Sequence, residues 1–168
     1  MSILKIHTYP DEVLKKPAES IKDVDGDLQV LIDSMAQTMY AAPGVGLAAP
    51  QVGVSQRLIV IDASRMEEES PLIVIVNPEI VSVCGTTDSE EGCLSVPGYQ
   101  NTIRRDETVL VRGFDRHGKP IEMEATGLLS RVLQHEIDHL NGVLFIDRLS
   151  PFKKKLFTKR YARALDTE

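Results

Sequence analysis

Residues 126–141 read TGLLSRVLQHEIDHLN. Leu129, Val132, Leu133, Ile137 and Leu140 recur at three- and four-residue steps. That apolar stripe predicts an amphipathic helix from about Thr126 to Asn141, with Asn141-Gly142 as its C-terminal stop. Inside the helix, His135-Glu136-Ile137-Asp138-His139 matches H-E-x-x-H. Residues four apart lie one turn apart on the same face, so two imidazoles there can grip one ion. Glu136 lies beside that face, where it can reach a water at the ion without ligating the ion itself.

Catalytic sites of this type carry three protein ligands and keep one position open. After His139 the chain holds no histidine and one glutamate, Glu168, at its end, while His7 and His117 fall in a tail and a turn. The best remaining donor is Cys93, in Glu91-Gly92-Cys93-Leu94-Ser95, where Gly92 lets the backbone approach another group. A lone cysteine in an apolar stretch is more often core than ligand. Beside two histidines that lack a third donor, the balance reverses. Cys84, which follows an apolar strand, reads as structural. A thiolate with two imidazoles suits zinc, iron, cobalt or nickel better than magnesium or calcium. A further stretch, Gly44 to Gln51 (GVGLAAPQ), is built of small residues that let something pack against the backbone. Gln51 is a neutral donor suited to an oxyanion. Read without context, the stretch is equally a tight loop.

Around these segments the chain reads as helices at both ends with strands between, an α+β domain. A first helix is expected over Ile21 to Tyr40, capped by Asp25 or Asp27 and stopped at Pro43-Gly44. Arg57 to Asp62, Leu72 to Val76, Ile80 to Val83 and Thr108 to Phe114 read as strands, with a charged loop over Ser64 to Ser70. His117-Gly118-Lys119-Pro120 turns Val109–Phe114 back as a hairpin with Ile121–Ala125. A third helix is expected over Pro151 to Leu165.

With 168 residues, the chain fits a single catalytic domain, 1–168, and 42% apolar with 26% charged residues excludes disorder. It shows no membrane-spanning apolar run and no signal-like N-terminus, which predicts a cytoplasmic protein without a structural disulfide. The net charge of −6 argues against a general nucleic-acid binder. Residues 151–168 nevertheless carry six basic against two acidic side chains, a +4 tail on a −10 body. The 151–165 segment therefore reads as a basic amphipathic helix.

Gly44–Gln51, Glu91–Ser95 and His135–His139, in this order, resemble the G-x-G-x-A-A-x-Q, E-G-C-L-S and H-E-x-D-H motifs of the peptide deformylase family. The likeness spans nearly the whole chain and includes Asn141–Ser150 (NGVLFIDRLS). It implies mixed or antiparallel sheets packed around a central H-E-x-x-H helix, with a C-terminal helix. It also implies removal of the N-formyl group from N-formylmethionyl nascent peptides, with release of formate. Cys93, His135 and His139 would hold one divalent metal ion, Fe2+ as the natural ion with Zn2+, Ni2+ or Co2+ as alternatives. Glu136 would be the acid/base, with Gln51 and the Leu94 N–H forming the oxyanion hole. Val45, Gly46 and Gly92 would line the peptide, and Leu128 and Val132 would wall the methionine pocket. Gln100 departs from relatives that carry arginine nearby, which bears on an outer substrate contact and not on the chemistry. The basic helix suggests docking to the ribosome, and nothing points to a membrane. Two other classes share features of this sequence. A metalloendopeptidase needs an extended cleft and leaves the first two motifs unexplained; a non-enzymatic metal-stabilised binding module needs a fourth protein ligand.

Overall fold

The Asp25 carboxylate accepts the Leu28 N–H at 2.9 Å and so starts helix α1, Gly26–Ala41. The helix begins later than the expected Ile21 for a local reason. The Ile21 N–H donates to Asn77 Oδ1 at 2.8 Å and its carbonyl accepts from Asn77 Nδ2 at 2.9 Å, which ties that segment to a strand. The computed structural model describes residues 2–62 and 72–166, with side chains as far as Tyr161. The charged loop expected over Ser64 to Ser70 lies outside the described residues.

Five antiparallel strands follow in the order β1-β2-β3-β4-β5: Gly46–Ala48, Leu58–Ile61, Ile73–Cys93, Val96–Phe114 and Pro120–Thr126. The β4–β5 hairpin has the expected pairing, with Val109 opposite Ala125 and Phe114 opposite Pro120. The strands expected over Leu72–Val76 and Ile80–Val83 are parts of one strand, β3, which runs on to Cys93. Register shifts interrupt it near Asn77, whose φ is 52°, and Pro78, which has no N–H for the ladder. Its partner β4 begins at Val96, well before the expected Thr108. Cys84, expected to be structural, is exposed in the middle of β3 opposite Thr108. Nothing buries it, and that expectation is corrected.

Helix α2, Gly127–Leu140, lays Val132, Leu133, Ile137 and Leu140 against Ile59, Ile61 and Ile75. Helix α1 lays Leu28, Ile32, Met35 and Met39 against Leu58 and Val60. Alternate residues of β2 thus face different helices, which is why Leu58–Ile61 is apolar at every position. Helix α3, Pro151–Asp166, is pinned by buried Phe157 and by the Tyr161 hydroxyl, which donates to the Tyr9 carbonyl at 2.8 Å. Phe152 and Leu156 on the same helix remain exposed. No described helix is long and apolar enough to cross a membrane.

Candidate active site

The α2 repeat puts His135 and His139 on one face, with ring centroids 5.1 Å apart. Cys93 comes to them as the last residue of β3, where a register shift after Gly92 turns the chain into β4. The Cys93 Sγ lies 3.4 Å from His139 Nε2, and the ligand atoms of Cys93, His135 and His139 all lie within 4.8 Å of one another. A tetrahedral ion with bonds of about 2.3 Å to sulfur and 2.0–2.1 Å to nitrogen would hold its S and N donors roughly 3.5 Å apart. The donor set and its spacing therefore fit a thiolate-bound divalent ion.

The imidazole of His135 is aimed by Glu91, whose Oε1 lies 2.9 Å from His135 Nδ1 and leaves Nε2 free for the ion. Glu91 is in turn clamped by Arg105 through two bonds of 2.8 Å. Burial pushes the Glu91 carboxyl up, but the bonds from Arg105 and His135 outweigh it and hold the carboxyl at about 2. Glu91 is thus a fixed anion behind the site.

Glu136 is 3% exposed, and its Oε1 has no hydrogen-bond partner among the described residues. Burial, chiefly, raises its carboxyl to about 7, reinforced by the nearby Glu91 and Asp138 charges and opposed by His135 and Arg105. A carboxyl with that value can take a proton and give it back near neutrality. Gly46 of β1 abuts it so closely that an added Cβ would lie 2.6 Å from Glu136 Oε2.

Gln51 belongs to the short 3-10 turn Ala49–Val52. Its Oε1 accepts the Ala48 N–H at 3.0 Å, so its amide NH2 faces the thiolate side. There Nε2 lies 3.1 Å from Ser95 Oγ and 3.7 Å from Cys93 Sγ. A neutral donor is thereby locked beside the ligand group.

A cleft of about 870 Å³ opens over these groups. Cys93, His135, Glu136 and Gln51 form its floor, and His139 lies buried behind them. Val45, Gly46, Gly92, Leu94, Gln100, Leu128 and Val132 also line it. All the expected site residues thus fall in or directly behind one cleft. Among the described residues strand β1 is at the sheet margin and pairs only with β2, an edge of the kind that can take an extended chain. The sequence reading passed over Glu91, Arg105, Asp138 and Ser95 as working residues. Glu91, Ser95 and Asp138 stand inside the motifs already quoted, whereas Arg105 lies in a stretch with no visible period.

The profile of the polypeptide deformylase family matches residues 3–155. A peptide deformylase of Thermodesulfovibrio yellowstonii is 60% identical over 161 residues, covering 96% of this chain and 98% of that one. The crystal structure of a Legionella pneumophila peptide deformylase superposes with a TM-score of 0.89 at 51% identity, over 99% of both chains. That of the Synechococcus elongatus enzyme in complex with actinonin has a TM-score of 0.85 at 46% identity, covering 88% of this chain and 81% of that one.

Proposed function

The chain belongs to the polypeptide deformylase family, and we propose that its cleft removes the N-formyl group from the N-terminal methionine of newly synthesised proteins, releasing formate. One observation carries the assignment of residues: Cys93, His135 and His139 converge beside a buried carboxylate, Glu136, and a locked amide donor, Gln51.

Cys93, His135 and His139 would hold the divalent ion, which when bound would supply Lewis acidity of the kind that lowers the pKa of a water to about 7 in comparable sites. Glu136 accepts a proton from the attacking water as its oxygen bonds to the formyl carbon. Negative charge then develops on the formyl oxygen, where the Gln51 amide and the Leu94 N–H donate to it. As the carbon–nitrogen bond breaks, Glu136 returns the proton to the leaving amine. The products are formate and a free N-terminus. Val45, Gly46 and Gly92 guide the peptide backbone, and Leu128 and Val132 wall the pocket for the methionine side chain.

Further parts of the reading rest on chemistry and charge. Fe2+ is the working ion, supported by the soft sulfur donor, with Zn2+, Ni2+ or Co2+ as substitutes. Residues 1–168 act as one catalytic domain in the cytoplasm. The basic face of α3 docks the enzyme on the ribosome, supported by the opposite charges of tail and body. The test is anaerobic purification, metal analysis and a formate-release assay on a short formyl-methionyl peptide. One equivalent of ion and rapid release are expected. Cleavage of internal bonds in unformylated peptides, with formyl-methionine left intact, would overturn the assignment.

A further inference from the structure

Two guanidiniums and two carboxylates form a chain from the surface to His135. Arg148 donates to Asp138 through Nε at 2.6 Å and Nη2 at 2.7 Å. Arg105 Nη1 donates to Asp138 Oδ2 at 2.6 Å, while its Nε and Nη2 clamp Glu91. Glu91 then meets His135 Nδ1. The inner members are dry: the Arg105 side chain is 1% exposed, Glu91 8% and Asp138 9%, whereas Arg148 is 45% exposed. Arg148 ends the 3-10 turn Phe145–Arg148, which leads through Leu149 and Ser150 into α3. The same turn reaches the ligand a second way, since the Phe145 ring stacks on His135 with centroids 6.1 Å apart and planes at 26°.

We propose that Arg148 is a positioning residue that holds His135 in its metal-binding orientation through Asp138, Arg105 and Glu91. The inference rests on the metal reading above. Four formal charges balance in this cluster. Without Arg148, two buried carboxylates share one guanidinium, and a buried unpaired charge is costly. Asp138 has then lost two of its three bonds, and it draws Arg105 out of its two-bond clamp on Glu91. Glu91 loosens with it, and His135 loses the partner that sets its ring orientation. The base of α3 is thereby linked to the metal ligand, although the helix is not part of the cleft.

The test uses purified enzyme loaded with Co2+ and reads two quantities besides turnover: the visible absorption of the bound ion and its rate of loss to a chelator. Outer partners of ligating histidines are worth about 10–100-fold in metal affinity, and Arg148 acts through three others, so R148M should lose the ion about 10-fold faster. Its Co2+ band should shift, and R148K, which keeps the charge but not the two-bond geometry, should fall between R148M and the parent. Adding Asp138→Asn to R148M removes the stranded charge and should restore retention towards the parent, which a general loss of stability does not allow. R112A, at the exposed Arg112–Glu122 pair, is the surface control and should match the parent. R148M and R148K releasing the ion at the parent rate, or the double variant releasing it faster than R148M, would overturn the inference while the parent still holds its ion. A parent that binds no ion sinks the metal reading and this inference together.

Discussion

Gly46→Ala tests how closely the sheet edge controls Glu136, the proposed general base. A Cβ at this position would lie 2.6 Å from Glu136 Oε2 and 3.0 Å from its Cδ and Cγ. Favourable carbon contacts begin near 3.5 Å, so the carboxylate or the strand must retreat by roughly 1 Å. Glu136 is 3% exposed, and the cleft it borders is the side towards which it can be pushed. A misplacement on the order of 1 Å at a reacting group costs about 10²-fold in rate, or about 2.7 kcal/mol of transition-state stabilisation. The fold itself should lose only the about 1–3 kcal/mol typical of overpacking, a fall of roughly 2–10 °C in Tm for a chain of this size. The ligand atoms are untouched, so ion content should equal that of the parent. The assay is formate release from a formyl-methionyl peptide, normalised to bound ion, with kcat and KM determined separately. A displaced base lowers kcat, whereas a methyl that only obstructs the peptide raises KM. Gly26→Ala, whose added Cβ meets nothing within 4 Å, controls for glycine replacement in general. A kcat for Gly46→Ala within about twofold of the parent, at equal ion content, would refute the coupling of β1 to Glu136.

Cys93→Ala should abolish tight metal binding, while Cys84→Ala, on exposed β3, should keep both ion and activity; equal metal loss in the two variants excludes Cys93 as the third ligand. Glu136→Gln should retain its ion and lose about 10²–10⁴-fold in turnover, and Gln51→Ala should lose roughly 10²–10³-fold in kcat. Metal loss from Glu136→Gln, with full rate per remaining ion, contradicts its role as base. Formyl-methionyl peptides should outpace formyl-glycyl and acetyl-methionyl peptides, and equal formyl and acetyl rates argue against a tight acyl pocket. Replacing Lys153, Lys154, Lys155 and Lys159 with glutamate should abolish ribosome co-sedimentation and spare hydrolysis of a short peptide. Unchanged co-sedimentation across a salt series leaves α3 as a structural helix only.

The two helices that flank the sheet could be read from the chain because each carries an apolar stripe at helical spacing, although both also bury polar side chains such as Thr38 and Gln134. Val132, Leu133, Ile137 and Leu140 display the period of α2 directly, and the candidate ligand pair His135 and His139 rides on it. The long β3–β4 ribbon could not be read in the same way. Along the part that reaches the cleft, the buried positions are Ser89 and Glu91 on β3 and Val96, Ile103 and Arg105 on β4. Three of those five are polar or charged, so the apolar alternation that marks a half-buried strand is missing. The strand faces inward nonetheless, because Glu91 and Arg105 satisfy each other and continue to His135 and Asp138. Burying such a group alone is costly, and only the assembled network offsets the cost. A residue-by-residue reading of apolarity therefore misses the strand at the place where it becomes part of the site. The late start of α1 has a related origin. Its apolar stripe says nothing about Ile21, whose backbone is held by the Asn77 side chain from a strand distant in sequence. In both cases a polar side chain, satisfied only in the folded chain, decides the local structure, and in the ribbon that side chain also orients His135.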